Sequence, residues 1–443
     1  MAADWKLPRE LEGWIERLAG VLHQASSWRL VPLLVGLLFA RGRKTIASWL
    51  RGGGLSADYQ DYYYFLGSLG RKIKSVATML LDRAVRQVPL PDRLVFAIDD
   101  TPTKRFGPRV QGAGIHHNPT PGPTEQKFLY GHVWVTVSWV VRHRLWDTIG
   151  LPLLGYLYIR QKDLPKLPKT VSWKFQTKLQ LAGQLVQWLA DNLKNLGKTL
   201  WAVVDGGYVK KVFLTAARQA SVIVVGRLRH DAALREVPKP RRPGQRGRPR
   251  KYGAKRISLA KRAGHRSGWQ TGTFVLYRKV EVKKYKTFLA TYRPADGLIR
   301  VVLVQEATRW VAWCCTKPDA TVAEILEAVA DRSAVEQDFH DVKEVHGAGQ
   351  PQVRNVWANV AAFNLTLWWH TLIELWAWAK PKSAICDRSA SPWDDAARRP
   401  SHADRRKALQ GECLETEFRR AQSGTPLKRK IKTLFDRLKK LAA

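Results

Sequence analysis

The stretch Leu94-Val95-Phe96-Ala97-Ile98-Asp99-Asp100 decides how this sequence folds. Its first five residues are apolar and include neither Gly nor Pro, which is typical of a short buried β-strand. Two carboxylates follow directly, so we expect them where that strand ends. A second apolar run at 200–204 is followed in the same way by Asp205. The sequence therefore predicts two buried strands that each end in an acidic side chain.

The segments around these two strands alternate between strand and helix patterns. The further elements that we predict are strands at 127–141 and 146–160, a helix at about 175–189, a helix at 208–219 and a strand at 221–225. This alternation favours an α/β fold in which helices cover the faces of a mixed sheet. A long loop at 101–126 is rich in Gly and Pro, and long ordered loops often have a function.

The charge of the chain restricts what it binds. Among its 443 residues, 75 Lys and Arg stand against 37 Asp and Glu, which gives a formal net charge of +38. So large an excess predicts a polyanionic partner, with nucleic acid first and an acidic membrane surface second. Disorder is excluded, because 45% of the residues are hydrophobic and 19 are Trp.

Two further features indicate where the protein works. Its four cysteines form no Cys-x-x-Cys pair, which is typical of thiols in a reducing cytosol. The apolar stretch 356–379 raises the question of a membrane span, yet it includes Asn359, Asn364, His370 and Glu374. Polar groups at those depths are costly in lipid, so we expect a buried helix and no membrane partner.

The composition divides the chain into three predicted parts. Residues 1–90 combine helical apolar runs with basic side chains, which suits a helical domain that binds a DNA end or one that dimerises. Residues 91–380 would form the α/β domain, interrupted at about 230–305 by a β-rich insertion. Residues 381–443 are polar and basic and predict a partly ordered tail.

A third acidic position lies near the end of the α/β domain. A helix that begins at Thr321 would include Arg332, Glu336 and Lys343, at successive offsets of four and seven. On a helix these three side chains share one face. Such a face is often a solvated, salt-bridged surface, and it is also what a metal-dependent site would present to a nucleic-acid backbone.

Together the acids match the needs of phosphodiester chemistry. Two Mg²⁺ ions would stabilise an in-line displacement at phosphorus, one at the attacking oxygen and one at the leaving oxygen. Mg²⁺ prefers hard oxygen ligands, which Asp100, Asp205 and Glu336 would supply. Singly, each aspartate is also typical of a turn or a helix cap. The ordered set on a strongly basic chain favours a catalytic site.

These residues resemble those of the DDE transposases of bacterial insertion sequences. The branch in question is marked by a Tyr-x2-Arg-x3-Glu-x6-Lys signature, which Arg332, Glu336 and Lys343 match at its spacing, whereas position 329 is Val. The segments 98–101 and 203–206 resemble the two aspartate blocks of the family. The long loop after Asp100 is similar to that of the insertion-sequence 701 group within the family-4-like transposases.

The resemblance implies an RNase H-like core in which Asp100, Asp205 and Glu336 bind two Mg²⁺ ions, or Mn²⁺ in their place. Such enzymes nick the ends of a transposon and then use the freed 3′-hydroxyl to attack target DNA. Arg332 and Lys343 would hold phosphates of the end. The implied partners are double-stranded DNA, namely the terminal inverted repeats and the target, and a second copy of the chain, in a bacterial cytoplasm near the nucleoid.

Two assignments stay open in the sequence. We predict Asp100 as the first acid because it directly precedes Thr101, as the aspartate of the family does, and Asp99 is the alternative. The basic motif comprises Arg246, Arg248, Arg250 and Lys251 around Gly247 and Pro249. It resembles an AT-hook, whose extended Arg-Gly-Arg-Pro core fits a narrow A·T minor groove. A solvated basic loop that contacts phosphates without preference is the alternative.

Two rival functions share much of this pattern. A catalytically inactive or repurposed relative would keep the charge and the fold and act as a sequence-specific DNA-binding protein. A general RNase H-like nuclease would cleave without sequence preference.

Overall fold

The computed structural model describes residues 5–118, 126–240, 247–277, 279–388 and 393–422, together with Ile431, Leu434 and Leu438. Six helices in the described part precede the first strand: α1 (Arg9–Ala19), α2 (Gln24–Ser27), α3 (Leu30–Phe39), α4 (Ile46–Gly52), α5 (Tyr59–Gly70) and α6 (Ile73–Gln87). The later helices are α7 (Lys178–Leu193), α8 (Lys211–Gln219), α9 (Leu259–Gly264), α10 (Val322–Asp331), α11 (Ser333–Glu344), α12 (Val356–Ala377), α13 (Lys382–Ile385) and α14 (His402–Gln422).

The described strands form one mixed sheet of twelve. They are β1 (Arg93–Lys104), β2 (Gly114–His117), β3 (Phe128–His143), β4 (Asp147–Tyr158), β5 (Thr199–Val204), β6 (Ile223–Leu228), β7 (Leu234–Arg235), β8 (Arg256–Ile257), β9 (Gln270–Leu276), β10 (Lys279–Tyr292), β11 (Gly297–Gln305) and β12 (Trp310–Cys315). Strand β1 lies at the centre of the first half, antiparallel to β3 and parallel to β5, which in turn is parallel to β6. With β4 antiparallel to β3, this order is that of an RNase H-like fold. The α/β prediction is confirmed.

Residues 230–305 extend this sheet. Strand β12 lies between β6 and β11, and β10 pairs with β11 and β9. The strand-rich segment predicted from the sequence is therefore hydrogen-bonded to the rest of the sheet through β12.

The two faces of the sheet pack against different helices because side chains alternate along a strand. On β1, Leu94, Phe96 and Ile98 enter the larger core with α7, α12 and the N-terminal helices, whereas Val95 and Ala97 enter a smaller core on the opposite face. Apolar residues of α10 and the start of α11 complete that smaller core. The helix that contains Glu336 thus covers one defined face of the sheet.

The segment after Thr321 differs from the single helix that the sequence predicts. Thr321 caps α10 with a capping box, but α10 ends at Asp331 and a separate helix, α11, begins at Ser333. At the break the Ser333 hydroxyl donates to the Ala330 carbonyl at 2.7 Å, and the Val335 amide donates to the Arg332 carbonyl, three residues back. Local bonds of this kind replace the regular helical ladder and redirect the helix.

Helix α12 is the buried helix that the sequence predicts at 356–379. Its residues from Val356 to Ala377 are all buried except Trp357. The side-chain amide of Asn364 donates to the Gly155 carbonyl and its oxygen accepts from the Gly155 amide, each at 2.9 Å, so this polar group is satisfied against β4. No helix in the described ranges is long and apolar enough to cross a membrane.

Close packing of α5 on α12 generates a test of this architecture. A Cβ at Gly70 would overlap the backbone of Trp357, whereas a Cβ at Gly67 on the same helix would come no closer than 3.9 Å to another residue. We expect Gly70→Ala to lower the free energy of unfolding by about 1–3 kcal/mol, because two backbones must separate. Gly67→Ala should leave it unchanged or raise it by up to about 1 kcal/mol. Chemical denaturation measures both, and equal effects would contradict this packing.

Candidate active site

The two adjacent acids of β1, Asp99 and Asp100, point to opposite faces of the sheet. Both lie within the strand, because β1 continues to Lys104 and pairs with β3 throughout. Asp99 continues the row of Val95 and Ala97, and Asp100 continues the row of Phe96 and Ile98. Adjacent acids that look alike in the sequence therefore have different surroundings.

Asp99 lies on the face that α10 and α11 cover. Its carboxylate accepts a hydrogen bond from the Arg332 guanidinium, with Oδ2 2.6 Å from Nη1. Both side chains are about 20% exposed. A charge-assisted hydrogen bond between two largely buried partners is stronger than one at the surface. This contact therefore holds Arg332 against Asp99 on β1.

Asp100 is bound on the other face. Lys178 Nζ lies 2.6 Å from its Oδ2, and the Tyr208 hydroxyl donates to its Oδ1 at 2.9 Å. Lys178 is the first residue of α7, and Tyr208 follows Asp205-Gly206-Gly207. Neither residue was predicted from the sequence, in which the position of Tyr208 three residues after Asp205 was the one indication.

Asp205 lies at the same edge of the sheet as the β1 acids. Strands β1 and β5 are parallel, and Ile98 is paired with Val204. The next residue is therefore Asp99 along the first strand and Asp205 after the second. By the alternation of β5, Asp205 follows the row of Trp201 and Val203, which belongs to the smaller core that α10 and α11 cover. The carboxylate of Asp205 is therefore expected on the Asp99 side, where it is exposed to solvent.

Glu336 approaches from the helix on that same face. It lies in the first turn of α11, its side chain is 69% exposed, and its Oε1 is 3.5 Å from Arg332 Nη2. Arg332 thus contacts Asp99 through one nitrogen and Glu336 through another. Asp99 and Glu336 therefore lie on one face, where the alternation of β5 also predicts Asp205, and Asp100 lies on the other.

This geometry bears on the choice of first acid. The sequence prediction was Asp100, and the face shared with Asp205 and Glu336 favours Asp99. The carboxylates remain apart in this structure: within the described ranges, the one group of three His, Cys, Asp or Glu side chains whose ligand atoms all lie within 4.8 Å of one another is elsewhere. Arg332 lies between Asp99 and Glu336 and supplies the positive charge there.

The electrostatics of the edge favour a cation. Burial, with smaller contributions from the charges of Asp100 and Asp205, raises the pKa of Asp99 to about 6 against the lowering effect of Arg332. Burial, together with Asp100, Asp99 and Asp205, also raises the pKa of Tyr208 far above its ordinary value, so its hydroxyl stays protonated and donates. A divalent cation would offset the repulsion between Asp99 and Asp205, and carboxylate oxygens are ligands that Mg²⁺ and Mn²⁺ prefer.

The predicted DNA-binding residues are dispersed. Arg332 is engaged by the acids as described, and Lys343 lies partly buried in the last turn of α11. Arg246 falls outside the described residues. Arg248 and Arg250 are exposed, whereas Lys251 Nζ forms an ion pair with Asp296 at 2.7 Å.

The sequence model of a family described as DDE superfamily endonuclease matches residues 17–275, which is more than half of the chain. The matched region includes Asp99, Asp100 and Asp205 and ends before Glu336. No curated protein matches the chain.

The raised pKa of Asp99 predicts a pH dependence of stability in metal-free protein. Between pH 4 and pH 6 the folded state retains a proton on Asp99 that the unfolded state has lost, so stability falls as the pH rises. We expect the free energy of unfolding of the wild type, relative to Asp99→Asn, to fall by up to about 3 kcal/mol between pH 4 and pH 7.

Chemical denaturation across this pH range measures the difference. Asp319→Asn at an exposed aspartate is the control and should follow the wild-type curve. If Asp99→Asn also followed the wild-type curve, Asp99 would not be the buried acid described above.

Proposed function

The chain belongs to the DDE superfamily endonucleases, and from that premise we propose that it is a DNA transposase of a bacterial insertion sequence. Membership of this family indicates an enzyme that cleaves phosphodiester bonds in DNA. The observation that supports the proposal most is the pair of contacts made by Arg332, which binds both Asp99 on β1 and Glu336 on α11. Strand β5, which precedes Asp205, is the parallel neighbour of β1. The net charge of +38 provides for a DNA partner.

The proposed catalytic acids are Asp99, Asp205 and Glu336, with Asp100 as the competing first acid. They would hold two Mg²⁺ ions, for which Mn²⁺ can substitute, and two such ions activate the attacking oxygen and stabilise the leaving one. Asp205 and Glu336 are exposed and accessible to DNA. Asp100 is bound by Lys178 and Tyr208 on the opposite face of the sheet, and these contacts would hold β1 in position.

Arg332 and Lys343 are proposed to hold phosphates of the transposon end. Guanidinium groups recognise phosphates through two nitrogens, and in this structure Asp99 and Glu336 engage both terminal nitrogens of Arg332. Metal binding by these two acids would release the nitrogens for a phosphate. Phosphate contacts of this kind fix the position of DNA without specifying its sequence. Their role would be to place the scissile bond over the three carboxylates.

Two features support assignment to the branch with the Tyr-Arg-Glu-Lys signature. Arg332, Glu336 and Lys343 occupy the spacing of that signature, and Arg332 and Glu336 are in contact. Val329 replaces the signature Tyr and packs against the smaller core under α10. Whatever contact the Tyr makes in relatives would be absent from this chain.

The proposed partners and location follow from this assignment. The helices within residues 1–90 would bind a transposon end or dimerise, residues 91–380 would catalyse, and residues 381–443 would form a basic tail. Joining two ends requires two active sites, so we propose a homodimer on DNA. The protein would work in the cytoplasm, on the nucleoid.

Replacement of single carboxylates tests the catalytic set. We expect Asp99→Asn, Asp205→Asn and Glu336→Gln each to lower Mg²⁺-dependent nicking of a terminal inverted repeat by about 10³-fold or more, because metal ligands provide several kcal/mol of transition-state stabilisation. Binding of the same duplex should persist. Glu344→Gln, at the exposed last residue of α11, is the matched control and should nick normally.

Asp100→Asn decides between the two neighbouring acids. Full loss of nicking in Asp100→Asn with activity retained in Asp99→Asn would reverse the assignment made here. The products distinguish the rival functions: a transposase joins the 3′ end to target DNA, a general nuclease nicks any duplex, and a repurposed DNA-binding protein nicks none. Inverted repeats flanking the gene would supply the substrate.

The exposed basic motif offers a separate test. If Arg248 enters the minor groove, Arg248→Ala should lower affinity for an A·T-rich duplex by about 1–3 kcal/mol and reduce its advantage over a G·C-rich duplex. Arg266→Ala removes an exposed charge from the same region and should weaken both duplexes alike. Titrations at fixed salt measure both variants. If Arg248→Ala lowered the affinity for both duplexes equally, Arg248 would contact phosphates only and would not read the minor groove.

A further inference from the structure

A buried cluster of histidines and carboxylates lies between the catalytic helix and the C-terminal helix. It consists of His346, His370, Glu374 and His402, with Asp341 beside them, and is called here the histidine cluster. His370 and Glu374 are one turn apart on α12, and His402 is the first residue of α14. One ligand atom from each of His370, Glu374 and His402 lies within 4.8 Å of the others.

Several polar atoms of the cluster have no hydrogen-bond partner among the described residues. They include His370 Nδ1, Glu374 Oε2 and His346 Nδ1, each on a side chain that is at least 97% buried. An orphaned buried polar atom is costly, so such atoms require an explanation. A cation that accepts the lone pairs of His370 Nδ1 and Glu374 Oε2 would supply one for those two atoms.

The remaining contacts hold these side chains in place. Asp341 Oδ2 is 3.9 Å from His370 Nε2, on the side opposite to the unpartnered Nδ1. His346 Nε2 lies 2.7 Å from His402 Nε2, and His402 Nδ1 donates to Glu374 Oε1 at 2.6 Å, so an ion at His402 would displace the proton of this hydrogen bond. Histidines that bind metals commonly have their other nitrogen held by a carboxylate or another acceptor in this way.

We propose that His370, Glu374 and His402 bind a transition-metal ion of the Zn²⁺ class. Two imidazoles and one carboxylate suit Zn²⁺, whereas Mg²⁺ prefers oxygen ligands alone. Asp341 and His346 position the two histidines, and Arg405 Nε, 2.8 Å from Glu374 Oε1, holds the carboxylate. A cavity of about 610 Å³ lined by all three ligands gives an ion access.

The consequence is a metal clamp between two helices, because the ligands come from α12 and α14. Asp341 belongs to α11, five residues after Glu336, and contacts the ligand His370. An ion here would fasten α14 to α12, next to the helix of Glu336. The site is distinct from the carboxylates at the sheet edge and does not depend on the proposed transposase function.

Metal content of the full-length protein tests the proposal. Protein stripped with a chelator is dialysed against trace Zn²⁺ in excess Mg²⁺, and bound zinc is measured by mass spectrometry. We expect about one zinc per chain in the wild type, in Asp99→Asn and in His23→Ala, which removes an exposed histidine. His370→Ala and His402→Ala should lose it, and His346→Ala should bind about 10–100-fold more weakly.

Two further measurements keep the result decisive. His370→Gln preserves the size and polarity of the side chain, and circular dichroism confirms folding if an alanine variant is unstable. Co²⁺ in the wild-type site should show the visible absorption of a four-coordinate ion, which Zn²⁺ abolishes. A wild type without zinc, or zinc retained equally in His370→Gln and His402→Ala, would show that the cluster is a metal-free hydrogen-bond network.

Discussion

The parallel pairing of β1 and β5 is the constraint on which the site depends. Because the two strands run in the same direction and Ile98 is opposite Val204, Asp99 on β1 and Asp205 directly after β5 come to the same level of the sheet. Backbone hydrogen bonds fix this register, and a slip of one residue would turn Asp205 to the other face. The position of Glu336 then follows from α11, which packs on the Asp99 face.

Arg332 connects these elements. It follows the end of α10, precedes α11, and contacts both Asp99 and Glu336. The guanidinium group of Arg332 lies between two carboxylates and balances negative charges that would otherwise repel each other. It also keeps the break between α10 and α11 close to Asp99 on β1. The same guanidinium group is suited to bind a DNA phosphate. Arg332 would therefore both stabilise the contact between α11 and β1 and help to bind the substrate.

Much of the fold could be predicted from the sequence, because apolar runs such as 94–98 and 200–204 have strand length. The predicted end of the first strand was wrong, since β1 continues through Asp99 and Asp100 to Lys104 by pairing with β3. The α/β class is confirmed, and the elements that position Asp205 lie close to the predicted bounds. The break between α10 and α11 was missed, since it depends on the Ser333 hydroxyl and not on hydrophobic spacing. The choice between Asp99 and Asp100 could not be made from the sequence either. It requires knowing which face of the sheet each side chain points to, and that depends on the elements that pack on each face. The histidine cluster was not predicted as a unit, because its members lie on three helices and meet only in the folded chain.

The most direct test of the account is where divalent ions bind. Crystals of the protein soaked in Mn²⁺ and measured for anomalous scattering should show two ions, about 3.5–4 Å apart, held by Asp205 and Glu336 together with Asp99. A pair of ions held with Asp100 on the Lys178 side would overturn the assignment of the first acid. No ion at these carboxylates, with DNA bound, would contradict the catalytic site itself.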